Sequence, residues 1–142
     1  MIRSFYALLA ILSLTVFTAC SEKHNPEPPV GLTGTWVKKH VETNEYDADG
    51  TENSKSGLRP VTNLVLYVFT SSSLVIRDLI TYTYDYKLNG ELLTLYPTNS
   101  TFNIPFSQKI IKLTGTDLIL QDTRPSAQSD GYTITLFHFI RQ

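Results

Sequence analysis

The sequence predicts an all-β domain, a sandwich or barrel of about eight short antiparallel strands. Three observations carry that expectation. Tyr, Phe, Val, Ile and Thr crowd the chain after Gly31, and these side chains fit a pleated, half-buried surface. Turn-forming residues break those runs at short intervals, the spacing of an antiparallel β architecture. No segment holds an apolar period of 3.6 residues for longer than two turns, so no amphipathic helix is expected.

The predicted strands are 35–42, 63–70, 74–79, 80–88, 92–97, 102–113, 117–122 and 132–141. Ser71-Ser72-Ser73 marks the reversal between the second and third. Asn89-Gly90 separates Tyr86-Lys87-Leu88 from Glu91-Leu92-Leu93. Both residues tolerate positive φ, so the pair is expected at the centre of a type I′ turn. Thr114-Gly115-Thr116-Asp117 divides Ile110-Ile111-Lys112-Leu113 from Leu118-Ile119-Leu120 in the same manner. The polar stretches 43–60 and 124–131 read as loops. The first is expected as a mobile loop at a barrel mouth rather than an extra element, because connections beyond about 12 residues are usually functional or disordered.

Ahead of the β domain lies a different kind of sequence. Arg3 is the only charge before Glu22, and residues 5–19 are an apolar run ending in small residues. A short basic start, an apolar stretch and a small-residue cut site form a secretory signal. At 15 residues the run is short for a membrane span of about 20. Phe17-Thr18-Ala19-Cys20 resembles the lipobox of bacterial lipoproteins, which implies cleavage after 19 and lipidation of Cys20. Cys20 is the sole cysteine, so its acylation leaves no disulfide for the fold to use. Acyl chains contribute about 0.8 kcal/mol per buried CH₂, enough for firm anchoring without a spanning helix. Residues 20–30 are polar and proline-rich and read as a tether. Ser21 follows the cysteine, which favours the outer membrane. The chain thus divides into signal peptide 1–19, lipidated tether 20–30 and β domain 31–142.

Without Arg3, 11 Lys and Arg face 13 Asp and Glu, a net charge of −2. No basic patch suggests nucleic acid. His24, His40 and His138 are the only histidines and no pair has ligand spacing, so no metal is expected. Asp47-Ala48-Asp49-Gly50 lacks the third ligand, glycine position and distal Glu of a calcium loop and reads as an acidic turn. A nucleophile elbow, a phosphate-cradling glycine loop and a carboxylate pair are all missing, with Asp85 and Asp122 standing alone. The sequence therefore predicts no enzyme and no cofactor.

The aromatic stripe is the most informative feature of the β domain. Tyr82, Tyr84 and Tyr86 alternate along one strand, so their rings share one face. Two readings stand: a wall packed by rings, or a ligand-facing wall with aromatic area for contact and hydroxyls for orientation.

Leu32-Thr33-Gly34-Thr35-Trp36, the hairpin segment 82–90, the segment 112–120 and the terminal Phe137-His138-Phe139-Ile140-Arg141 together resemble the lipocalin-like domain of small secreted lipoproteins from Bacteroidetes. The resemblance covers nearly all of 32–141. It implies an antiparallel up-and-down barrel. In lipocalins a Trp plugs the closed end and a late basic residue stacks over it; carried over, these are Trp36 and Arg141. A guanidinium over an indole contributes roughly 0.5–2 kcal/mol. The resulting expectation is a lipid-anchored binding module with membrane contact through Cys20, holding a small apolar or amphipathic ligand against Tyr82, Tyr84 and Tyr86. The alternative is a solid barrel acting in protein contact or envelope structure through loops 43–60 and 124–131. Cavity volume separates the two.

Overall fold

The computed structural model describes residues 31–98, 104–126 and 130–142. The expected signal peptide, Cys20 and the tether to residue 30 lie outside the described residues. Ten strands form among the described residues: β1 Gly34–Tyr46, β2 Glu52–Lys55, β3 Arg59–Pro60, β4 Leu66–Phe69, β5 Ser73–Arg77, β6 Thr81–Asn89, β7 Leu92–Pro97, β8 Phe106–Leu113, β9 Asp117–Pro125 and β10 Tyr132–Arg141. From β4 to β10 each strand pairs antiparallel with the next in sequence. β1 then pairs with β4 on one edge and β10 on the other. This closes an eight-stranded up-and-down barrel, all-β among the described residues, and leaves those eight strands no free sheet edge apart from the outer part of β1.

That outer part overturns the expectation of a mobile loop over 43–60. β1 runs on to Tyr46 because β10 pairs with it as far as Tyr46 opposite Tyr132. β4 is only four residues long and leaves the other edge of β1 open beyond Val37. β3 takes His40 and Val41, and β2 takes Asn44 to Tyr46. Polar, solvent-facing strands carry no hydrophobic alternation, so backbone pairing alone announces them. The connecting turn is the acidic one: Asp47 N–H donates to Thr51 O at 2.9 Å, and Asp49 Oδ1 accepts from Thr51 N at 2.9 Å.

The β6–β7 turn also differs by one residue from the sequence reading. Asn89 pairs with Leu92, so the two loop residues are Gly90 and Glu91. Gly90 has φ +59, and no other residue of that turn has positive φ. Glycine alone at the first central position is the pattern of a type II′ turn, not type I′. Both twist with the sheet; the choice falls to II′ because Asn89 is held in the β6 ladder. The other two reversals match expectation. Thr70 Oγ1 accepts from the amides of Ser72 and Ser73, and Thr114 Oγ1 from those of Thr116 and Asp117.

The barrel is filled at one end. Gly34, Phe69, Ser73, Asn89, Leu92, Leu113, Asp117 and Arg141 all lie at strand ends on that side. Trp36, Leu74, Leu93, Leu95, Leu118 and Leu120 are wholly buried there, with Phe69 and Phe139 nearly so. Each such leucine contributes about 1.5–3 kcal/mol by leaving water. The segment before β1 crosses beneath them: Leu32 is buried and its carbonyl accepts from Trp36 Nε1 at 2.8 Å.

Candidate functional site: the open half of the barrel

Burial along the inward-facing residues falls steadily from the filled end to the other. On β10 Phe139 is buried, while Phe137, Thr135 and Thr133 on the same face are only half-buried. On β1 Trp36 is buried; beyond the bulge between Lys38 and His40, Val41 and Thr43 face inward half-buried and Glu45 is exposed. On β6 Tyr86 and Tyr84 are half-buried and Tyr82 is 42% exposed. Inward residues that keep access to solvent line a cup above a solid floor.

The tyrosine stripe runs from floor to lip of that cup, and its members differ in role. Tyr86 belongs to the floor: its ring meets Phe69 edge-on at 5.6 Å and its hydroxyl donates to Thr70 O at 2.7 Å. Tyr84 is a wall residue, edge-on to Phe106 at 5.7 Å. Tyr82 stands at the lip, opposite Ile76 of β5. Burial raises the pKa of both Tyr84 and Tyr86, so both stay protonated donors at neutral pH.

Polar groups on five elements converge where floor meets cup. Lys38 of β1 places Nζ 5.4 Å from the Phe137 ring centroid. Burial lowers its pKa, and the charge of Asp78 in the β5–β6 turn pulls it partly back. Tyr67 of β4 is edge-on to Phe139 at 4.6 Å. Its hydroxyl pKa is driven upward, first by burial, then by Tyr84, Asp122 and Asp78. Asp122 of β9 is 7% exposed and sits two residues beyond the buried Leu120 on the same face. Its Oδ2 accepts from Arg124 Nε and Nη2, both at 2.8 Å. Gln108 of β8 is 5% exposed, and its Oε1 has no hydrogen-bond partner among the described residues. The register of β8 on β9 pairs Lys109 with Gln121, which sets Gln108 opposite Asp122.

The sequence reading missed this polar set. A signal was present for Asp122, since Leu118, Leu120 and Asp122 alternate and period two places all three on one face. For Lys38, Tyr67 and Gln108 the inward face is fixed by cross-strand register, which no single strand reveals.

Trp36 and Arg141 meet at the filled end. They are register partners of β1 and β10, and the guanidinium carbon lies 4.4 Å from the Trp36 ring centroid. Arg141 Nη1 donates to Thr33 O at 3.1 Å and Nη2 to Gly31 O at 2.7 Å. Gly34 makes room: its φ is +135, and a Cβ there would lie 3.1 Å from Arg141 Nη1. One side chain thus ties the last strand to the segment that seals the barrel.

His40 and His138 also meet, opposite each other across the same seam but on the outer wall. They line a concavity of about 380 Å³ together with Lys39, Lys112, Asp117 and Ile119. Among the described residues no third His, Cys, Asp or Glu joins them in a metal-binding group.

The eight-stranded closed barrel with a Trp–Arg-sealed end is a lipocalin-like fold. A lipocalin-like protein from Bacteroides uniformis superposes with a TM-score of 0.51 at 19% identity, over 78% of this chain and 98% of that one. An uncharacterized protein from Bacteroides eggerthii gives 0.49 at 11% identity, over 79% of this chain and 100% of its own. An apocrustacyanin gives 0.45 at 14% identity, over 78% of this chain and 60% of its own. No protein-family model and no curated protein matches the chain.

Proposed function

We propose that the chain is a lipid-anchored extracytoplasmic binding module that holds a small apolar or amphipathic molecule in the open half of its barrel. The observation that carries this reading is the burial gradient: inward residues of the filled half are sealed, while Thr135, Phe137, Val41 and Tyr84 stay partly open. An eight-stranded barrel can be filled by its own side chains or hold one small ligand, and the half-buried inward residues favour the second. Aromatic walls with a few convergent polar groups are what such sites are made of. Its work is binding, with the Asp122–Arg124 pair and Tyr67 orienting the ligand rather than transforming it. Protein purified from its own host should carry a retained small molecule, seen by native mass spectrometry as a non-covalent mass lost on mild activation.

The membrane partner in this reading is reached through acyl chains on Cys20, and the outer membrane is the proposed location, on its periplasmic face or at the surface. Cys20→Ser should leave the precursor unprocessed and unlabelled by radioactive palmitate. Normal labelling of that variant would remove the anchor from the account.

A second reading, contact with another protein, draws on a different observation. Leu64, Leu79, Ile80 and Ile104 stand exposed around the open end, Leu79 at 91% and Ile104 at 73%. Exposed apolar residues at one rim can serve a partner as well as a ligand. A barrel recovered from its host with a stoichiometric protein and no small molecule would favour that reading.

A further inference from the structure

Gln108 presents a problem that the barrel's own residues do not solve. Its side chain is 5% exposed and its Oε1 is buried without a partner. A buried amide left unpaired is destabilising, and such groups in folded proteins have a reason. Directly opposite, Asp122 uses Oδ2 for Arg124, while Oδ1 accepts no hydrogen bond among the described residues. Side chains directly opposite on antiparallel strands have Cβ atoms about 4.5–5.5 Å apart. The unpartnered amide oxygen and this carboxylate therefore belong to facing residues of β8 and β9, with Phe106, two residues toward the open end of β8, and its edge-on partner Tyr84 above them.

We propose that this Gln108–Asp122 pair is the head-group site for an uncharged amphiphile that donates a hydrogen bond, a molecule of the alcohol class. The inference rests on the binding reading above and names the ligand's chemistry. Charge selects a neutral head. Asp122 is already matched by Arg124, and Lys38 stands in the field of Asp78. An added carboxylate would face Asp122 and Asp78, and an added ammonium would face Lys38, each in a site poor in water. A hydroxyl donates its one hydrogen to one of these oxygens and adds no charge to either pair. The tail then lies against Tyr84 and Phe106 and leaves past Ile76 and Tyr82 toward the apolar lip at Leu79 and Ile80.

The test uses four probes on the full domain. Pyrene, which has no polar group, reports on the cup alone; 1-decanol, decanoate and decylamine then compete with it. Decanol should bind about tenfold tighter than decanoate or decylamine, the worth of one net hydrogen bond. Gln108→Leu should keep pyrene binding, abolish the preference for decanol and raise the melting temperature by several degrees, because it removes a buried unpaired amide. Asp122→Asn, close in shape, should weaken decanol severalfold while keeping pyrene. Pyrene binding without preference among the three chains overturns the head-group site and leaves the cup standing. A Gln108→Leu variant that is less stable, or that keeps the preference, overturns it equally. Failure of all four probes to bind overturns this site and the binding reading together.

Discussion

Trp36→Ala is expected to cost about 3–5 kcal/mol of stability, the range for truncating a large aromatic in a core. Trp36 is wholly buried, its Nε1 holds the Leu32 carbonyl, and its ring carries the Arg141 guanidinium. The cavity would open at the point where the first strand, the last strand and the sealing segment meet. Arg141→Ala should cost less, about 1–3 kcal/mol. Roughly 0.5–2 of this comes from the ring contact, and the remainder from two charged hydrogen bonds to Gly31 and Thr33. The two losses share one contact, so the double variant should fall short of their sum by at least about 0.5 kcal/mol. Urea denaturation followed by circular dichroism measures all three, because Trp36→Ala removes the chain's only tryptophan. Strict additivity, or an emission maximum of Trp36 typical of full exposure to water, would contradict the sealed end.

The second large effect belongs to the opposite end of the same seam. A Cβ at Gly131 would lie 1.9 Å from the Tyr46 carbonyl oxygen, 2.9 Å from its carbonyl carbon and 3.0 Å from the Asp47 Cα. All three are backbone atoms, so no rotamer change relieves the clash. The end of β1 would have to part from the start of β10, where Tyr46 and Tyr132 stack at 5.1 Å. Gly131→Ala should therefore cost about 1–3 kcal/mol or more, a fall of about 4 °C or more in melting temperature for a domain of this size. Gly115→Ala is the control: nothing lies within 4 Å of its Cβ and its φ is not positive. It should change stability by less than about 0.5 kcal/mol. Equal melting temperatures for the two variants would show that β1 and β10 do not approach as described.

The strands with two-faced alternation were legible in the sequence to within a few residues: 92–97 and 132–141 coincide with β7 and β10. Where alternation is absent the reading failed, as at β2, whose four residues are all exposed. The hairpin at Asn89 was found but centred one residue early, because Asn-Gly fits two turn types and the ladder chooses between them. The pairing of Trp36 with Arg141 came from resemblance, since 105 positions separate them and only barrel closure brings them together. The tyrosine stripe was legible as one face of one strand. That it spans floor, wall and lip depends on how far the neighbouring strands fill the interior. Gln108 and Asp122 form a pair only through register between β8 and β9, including the bulge between Ile110 and Lys112.

The central claim is that the open half of the barrel is a cup with an occupant. Thr135 faces into it beside Asp122 and is half-buried, so Thr135→Phe should fill the space without touching the sealed floor. Native mass spectrometry of both proteins, purified in parallel from the native host, tests the claim most directly. The account predicts a retained non-covalent mass on the wild type and a bare barrel for Thr135→Phe. A bare wild type, or equal retention by the filled variant, would contradict it.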